Sequence, residues 1–313
     1  MKAIRIHAYG GPELMQLEDA PVPPCGAGDL LVRVVAAGVN PVDWKLRSGA
    51  MAAQVPMSFP VTLGFDAAGI VTAVGGEVAG FELGDEVCFY AAFARGGTYA
   101  EYVAVDASQA AKKPRTATFA AAAALPMAGQ AAWTALIETG QVERGMRVLI
   151  HGGAGALGTT AVQLAKEHGA HVTATASGDG LALVKSLGAD EVIDYRTQRF
   201  EQIARDIDIV LDTLGGATQE ASWTTMRKGG VLVATAMPPS PERAAAAGVR
   251  AAFVFTLPRG AVLVQLAERV DDGRLRIVVG QEFALADASQ AHRLGEAGKA
   301  RGKMILHVAA PGG

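Results

Sequence analysis

The stretch RVLIHGGAGALGTTAVQLAKEHGAHVTATA, residues 147–176, constrains this chain more than any other. The apolar run RVLIHG reads as a strand. A glycine turn follows it, then the helical stretch AVQLAKEHG, then a second apolar run, HVTATA. Gly152, Gly155 and Gly158 stand at the spacing G-x-x-G-x-x-G. A side chain in such a turn would hold a pyrophosphate away from the backbone N–H groups at the helix start, and Gly158 lets the helix pack closely on its strand. A glycine triplet alone is weak evidence, because any glycine-rich turn can produce one. A strand before it, a helix after it and a second strand on schedule point to dinucleotide binding.

Further apolar runs follow at EVIDY (191–195), IDIVLDT (207–213), GVLVATA (230–236) and VRAAFVF (249–255), with helix-like segments such as LALVKSLGA between them. Runs of Val, Ile, Leu and Ala without strict alternation suit parallel strands buried on both faces. The pattern predicts an α/β, doubly wound parallel sheet over 118–257, entered through the alanine-rich helical stretch FAAAAALPMAGQAAWTALIETG. MPPSPERAAAAG (237–248) reads as its most loop-like segment. Residues 1–117 have another texture: LLVRVVAAGV (30–39), GIVTAVG (69–75), DEVCFY (85–90) and AEYVAV (100–105) are β-rich runs broken by glycine and proline. A β-dominated, barrel-like domain is expected there. The tail, 258–313, carries an amphipathic helix at AVLVQLAERV, a strand near RLRIVV, a helix across ASQAHRLGE and a last strand, KMILHV. It is expected to fold back onto the N-terminal domain.

A length of 313 residues suits two domains, and 50% hydrophobic content fills substantial cores. A net charge of −3 gives no electrostatic case for nucleic acid or an anionic membrane. The longest apolar runs, as at 119–125, are too short to span a bilayer, and MKAIRIHAYGG lacks the apolar core of a signal peptide. The two cysteines, Cys25 and Cys88, can build neither a disulfide framework nor a four-cysteine zinc site. A soluble cytoplasmic protein is expected. At the end of the second nucleotide-domain strand, TATASGDG, Ala176 and Ser177 stand where an acid would accept the ribose hydroxyls of NAD, which favours NADP(H). No Arg or Lys follows Ser177 in that loop, and Asp179 is acidic.

AAGVNPVDWKLRSG, PVTLGFDAAGIVTAVG and GKMILHV, with the domain order, resemble the medium-chain dehydrogenase/reductase superfamily, and within it the zinc-free, zeta-crystallin-like quinone oxidoreductases. The resemblance spans the chain. It implies a GroES-like catalytic domain over 1–117, completed by 258–313, a Rossmann NADP-binding domain over 118–257, and a cofactor cleft between them. Zinc-dependent members bind the metal with a Cys, a Gly-His-Glu segment and a later Cys or Asp. The matching residues here are Asn40, Gly64-Phe65-Asp66 and a residue near Met127, which cannot make a zinc site. Without a Lewis acid, alcohol oxidation is disfavoured, and reduction of a quinone or an activated alkene remains.

The resemblance implies cofactor contacts from Lys45, Ala154, Gly155, Ala156, Leu157, Ser177, Tyr195, Leu214, Gly215, Thr235, Ala236, Phe253 and Phe255. It implies a substrate pocket lined by Asn40, Asp43, Trp44, Phe65, Tyr90 and Met127. Asn40 is a candidate hydrogen-bond donor to a substrate carbonyl or a turn residue before Pro41; Trp44 is a candidate stacking platform or core residue; Tyr90 or water is the candidate proton source. His151 reads as structural. Asp66, a carboxylate in apolar surroundings, is expected to be held by a buried basic residue or backbone N–H groups. The implied activity is NADPH-dependent reduction of a quinone, enone or enoyl compound, by a homodimer or homotetramer with VRAAFVF as a candidate interface. A dedicated biosynthetic enoyl reductase and a non-catalytic NADPH-binding protein are the alternatives.

Overall fold

A computed structural model describes residues 1–310. The chain forms two compact units, one from Met1–Met127, Leu257–Asp272 and the chain from Ile277 onward, the other from Ala128–Thr256 and Gly273–Arg276. In chain order the first unit has β1 (Lys2–Ile6), β2 (Gln16–Asp19), β3 (Asp29–Val39), α1 (Pro41–Arg47), β4 (Val61–Thr62), β5 (Asp66–Val74), β6 (Glu86–Tyr90), β7 (Tyr102–Asp106), β8 (Ala110–Lys112) and α2 (Phe119–Ala124). α3 (Pro126–Trp133) leads into the second unit and continues as a π-helical stretch, Thr134–Thr139. There follow β9 (Arg147–Ile150), α4 (Ala156–Glu167), β10 (His171–Ala176), α5 (Asp179–Ser186), β11 (Glu191–Asp194), α6 (Phe200–Ile203), β12 (Ile207–Asp212), α7 (Gly216–Ser222), β13 (Met226–Ala234), α8 (Pro241–Ala247) and β14 (Arg250–Phe253). The tail supplies α9 (Gly260–Asp271), β15 (Val279–Ala284), α10 (Ala288–Glu296) and β16 (Lys303–His307).

In the first unit β3 carries the main sheet. Its residues pair with β5 on one side and with β7 and β16 on the other, in a seven-stranded sheet ordered β15-β16-β3-β5-β6-β8 with β7 on β3. β1 pairs with β2 and β4 in a smaller sheet. The antiparallel register Met304–Val39 and Ile305–Gly38 brings the tail back onto the N-terminal strands, as expected. This unit reaches Met127 rather than the predicted boundary at 117, because α2 packs its buried alanines against β3 and β5.

The second unit holds six parallel strands in the order β11-β10-β9-β12-β13-β14. The order reverses between β9 and β12, which is the topological switch point of a doubly wound sheet. Val148, Leu149 and Ile150 of β9 are wholly buried, as are Val210 and Leu211 of β12 beside it and Val233 of β13 beyond, and that explains why these strands read as unbroken apolar runs. Two local readings fail. The 237–248 segment contains α8: Ser240 caps it by accepting from the Arg243 N–H, Pro241 opens it, and Gly248 closes it in the left-handed conformation at φ 68°. The strand expected near RLRIVV begins only at Val279. No helix among the described residues is long and apolar enough to cross a membrane.

Candidate functional site

β5 begins at Asp66, α1 is capped at Asn40 and β16 begins at Lys303, and these three ends meet in one buried cluster. Lys303 Nζ donates to Asp66 Oδ2 at 2.6 Å and to Asn40 Oδ1. Asn40 Nδ2 donates to the same Asp66 oxygen at 3.0 Å, and the Met127 N–H donates to Asp66 Oδ1 at 2.9 Å. Both expected kinds of support for Asp66 are therefore present, a buried cation and a backbone N–H. The arrangement also fixes the Asn40 amide: its oxygen faces the ammonium and its nitrogen faces the carboxylate.

A second chain of buried groups runs off the same helix cap. The Asn40 N–H donates to Asp43 Oδ2 at 2.6 Å, and the Tyr99 hydroxyl donates to the same oxygen at 2.7 Å. Tyr99 Oη lies 3.2 Å from His292 Nε2, and His292 Nδ1 lies 3.3 Å from Arg47 Nη1. A guanidinium only donates, so Nδ1 accepts, Nε2 carries the hydrogen, and each donor in the series points towards Asp43. Arg47 also donates to the Gly10 carbonyl at 3.1 Å and pairs with Glu296 at 2.5 Å. Burial pushes the Asp43 carboxyl up to about 7 against these donors, and burial pushes His292 down to about 3. Asp43 Oδ1 has no hydrogen-bond partner among the described residues.

The predicted substrate residues fall into three environments. Phe65, Tyr90 and Met127 share one apolar cluster with Leu46, Val42, Met51, Val55, Met57 and Phe93. Asn40 lies next to it through Asp66, while Asp43 is fully buried in the Tyr99 network. Trp44 packs on the main core, against Gly295 and edge-on to His292 at 6.1 Å, which is the core role read for it as the alternative to stacking. Burial holds the Tyr90 phenol well above its ordinary value, which makes it a reluctant acid.

In the second unit the parallel sheet brings the predicted cofactor residues to one edge, the carboxyl ends of its strands. Gly152 takes φ 68°, and a Cβ on Gly158 would lie 2.2 Å from the Gly152 oxygen, so the turn needs glycine at both places. Gly155 begins α4 with no side-chain cap, leaving the first N–H groups of a twelve-residue helix for an anion; Ala154, Ala156 and Leu157 are half-buried around it. Ser177 follows β10 and donates to the Tyr195 hydroxyl at 3.0 Å. After β12 the Asp212 carboxylate accepts the Leu214 and Gly215 N–H groups at 3.0 and 2.9 Å and shapes that turn. Leu214, Tyr195, Phe253 and Phe255 are exposed, and Thr235 and Ala236 half-buried. Lys45 lies half-buried on α1 of the first unit. His151 is buried and neutral, pushed down to about 4 by burial and tied to Ser222 Oγ at 2.9 Å, as a structural histidine should be. The glycine turn, the uncapped helix and the absence of a carboxylate at Ala176 and Ser177 fit NADPH.

Zinc does not fit. Asn40 and Phe65 stand at two of the ligand places, and Asp66 is already paired with an ammonium. Among the described residues no group of three or more His, Cys, Asp or Glu could hold a metal ion. Lys303, Tyr99, His292 and Arg47 were not anticipated. The one sequence signal was Lys303 itself, a lysine opening the apolar run KMILHV, where burial demands a partner.

A β-dominated unit joined to a doubly wound sheet with a glycine turn defines the medium-chain dehydrogenase/reductase class. Comparison with known proteins agrees. Residues 26–115 match the alcohol dehydrogenase GroES-like domain and residues 187–306 match a domain described as zinc-binding dehydrogenase. The chain is 32% identical to the mitochondrial NAD(P)H oxidoreductase RTN4IP1 of Mus musculus, over 98% of this chain and 89% of that one. It is 35% identical to the chloroplastic NADPH-dependent alkenal/one oxidoreductase of Arabidopsis thaliana, over 98% of this chain and 79% of that one. The structure of the quinone oxidoreductase from Coxiella burnetii superposes with a TM-score of 0.92 at 34% identity, over 99% of each chain. The chain belongs to the zinc-free quinone oxidoreductase family of the medium-chain dehydrogenases/reductases.

Proposed function

We propose that the protein is a zinc-independent, NADPH-dependent oxidoreductase that reduces a quinone or an activated, α,β-unsaturated C=C bond. The observation that carries this reading is the Lys303 ammonium seated on Asn40 and Asp66, at residues matching those that hold zinc in related enzymes. A site with no Lewis acid is poor at stabilising an alkoxide, whereas a quinone or enone disperses developing charge through its own conjugation. NADPH, when bound, supplies a hydride. The N–H groups of the Gly155–Leu157 turn bind its pyrophosphate, and the Ser177 hydroxyl meets its adenosine ribose end. Phe65, Tyr90 and Met127 offer an apolar wall that excludes water. Asn40, locked by Lys303 and Asp66, keeps its second Nδ2 hydrogen for a substrate oxygen. With Tyr90 so reluctant an acid, the completing proton comes from water.

The test is a panel of quinones, enals, enones and enoyl thioesters, followed by oxidation of NADPH and NADH. Turnover of quinones or enones with NADPH is expected; a preference for enoyl thioesters would mark a dedicated enoyl reductase. Activity only on simple alcohols with NAD overturns the reaction class, equal rates with NADH overturn the cofactor preference, and NADPH binding without turnover on any acceptor leaves a binding protein. The edge strand β14, with Phe253 exposed, supports a homodimer or homotetramer built on this strand. Ala252→Asp should dissociate it in size-exclusion chromatography, and an unaffected assembly would count against it.

A further inference from the structure

The span from Ala91 to Gly97 passes over the aromatic part of the apolar cluster and lays Phe93 against it. The Phe93 ring meets Phe65 edge-on at 4.7 Å and Tyr90 at 6.2 Å. Both ends of the span are pinned by backbone: the Ala91 N–H donates to the Phe65 carbonyl at 2.8 Å, and the Gly97 N–H, at φ 103°, donates to the Gly64 carbonyl at 2.8 Å. Between them the Ala92 N–H donates to Gln109 Oε1 at 3.0 Å. The crown is held by Arg95, whose two terminal nitrogens each donate to the Asp29 carboxylate at 2.6 Å. Asp29 is itself fixed, because it opens β3 and its Oδ2 accepts the Gly26 N–H at 3.0 Å. A bidentate pair of this kind fixes direction as well as distance, so Arg95 sets where the crown sits. Phe93 is half-buried, with Phe65 and Tyr90 buried behind it. It is therefore the outermost ring of this aromatic group, the one an incoming ligand reaches first.

We propose that Phe93, held by the Arg95–Asp29 clamp, is a specificity-determining residue: it sets the width of planar ring system that can lie against Phe65 and Tyr90. This rests on the reading of the apolar cluster as the wall that receives a quinone or enone. Phe93 touches the substrate; Arg95 and Asp29 are positioning residues that act through it. Because Phe93 already touches Phe65, any acceptor that reaches the buried rings must push Phe93 aside, a one-ring acceptor less far than a fused two- or three-ring one.

The experiment uses the intact chain with NADPH and compares kcat/KM for 1,4-benzoquinone with that for 9,10-phenanthrenequinone. Phe93→Ala is expected to raise the wide-to-narrow ratio about tenfold, the lower end for steric discrimination in an apolar pocket. Arg95→Met should shift the ratio in the same direction by a smaller factor, and Arg95→Lys, which keeps the charge but loses the fork, should resemble it. Phe93→Leu keeps apolar bulk and covers the case in which the alanine variant fails to fold. Folded variants with an unchanged ratio, or a change in Phe93→Ala that neither Arg95 variant echoes, overturn the proposal. If the unaltered chain reduces no quinone and no enone with NADPH, the functional reading falls and takes this inference with it.

Discussion

Lys303→Met is the substitution with the most to reveal about the buried cluster. Asp66 has no exposure and Lys303 has 2%, so the ion pair sits wholly out of water. Removing the ammonium leaves the Asp66 carboxylate with the Asn40 and Met127 N–H donors and no counter-charge. Breaking a buried pair from one side costs about 3–5 kcal/mol, and the Asn40 oxygen, stripped of its donor, adds to that. Against a total stability of about 5–15 kcal/mol this is a large fraction, and it should lower Tm by roughly 10 °C. Adding Asp66→Asn removes the stranded charge: the oxygen of the introduced amide keeps the Met127 N–H, and Asn40, freed from Lys303, can turn its own oxygen to the amide nitrogen. The double variant should recover to within about 1–2 kcal/mol of the unaltered chain, because a buried pair contributes little net stability when both charges go together. Urea unfolding followed by circular dichroism reads both numbers. A single variant within about 1 kcal/mol of the parent, or a double variant no better than the single, would refute the reasoning.

Gly158→Ala places a Cβ 2.2 Å from the Gly152 oxygen and 2.7 Å from the Gly153 Cα, so α4 must move off the glycine turn. NADPH binding, titrated by cofactor fluorescence, should weaken about tenfold or more, and unchanged affinity would refute the turn as the pyrophosphate site. Stability should rise from about pH 4 to about pH 6.5 and level off above it. Asp43 rises from 3.8 to about 7 on folding, so its contribution is full below about pH 3.8 and is lost as pH rises through about 7. His151 and His292 fall from 6.5 to about 4 and about 3, so theirs is full above pH 6.5 and is lost as pH falls through those values. Two histidines outweigh one acid below pH 6.5, and above it their remaining gain and the loss at Asp43 nearly cancel. Urea midpoints measured at about pH 4.5, 6.5 and 8 test this, and a midpoint still climbing at pH 8 contradicts the raised Asp43. Tyr99→Phe leaves Asp43 Oδ2 with the Asn40 N–H as its one donor and strands the His292 N–H, and should cost about 1–3 kcal/mol in the same unfolding assay.

The second unit was legible because its determinants are local. A parallel strand buried on both faces announces itself by an apolar run, and a pyrophosphate turn by glycines a fixed distance apart. The misreadings there have local causes too. In α8 the dipeptides around Pro238 and Pro239 drew attention from Ser240-Pro241, which is a helix start, and from Gly248, which is a helix end. At RLRIVV the apolar pattern was real, yet Arg276 satisfies its backbone through the Gln163 side chain rather than through a neighbouring strand. Its N–H donates to Gln163 Oε1 at 2.8 Å and its carbonyl accepts from Nε2 at 2.9 Å. Burial of Leu275 then needs no strand at all.

The polar cluster of the first unit was not legible, and the reason is distance along the chain. Asn40 and Asp66 are 26 residues apart, Asn40 and Lys303 263, Arg47 and His292 245. No spacing rule connects such residues; only the antiparallel return of β16 beside β3 does. What a sequence can carry is the demand for a partner rather than its identity. Asp66 in GFDAAG and Lys303 in GKMILHV each violate the apolar pattern of a buried strand end, and each violation is intolerable alone. Two such opposite-signed violations, both at the starts of strands in one sheet, answer each other. The same logic explains why Trp44 stayed open between a stacking platform and a core residue: a tryptophan breaks no rule in a core, so its position carried no demand, and its packing on Gly295 and His292 could not be read from the sequence.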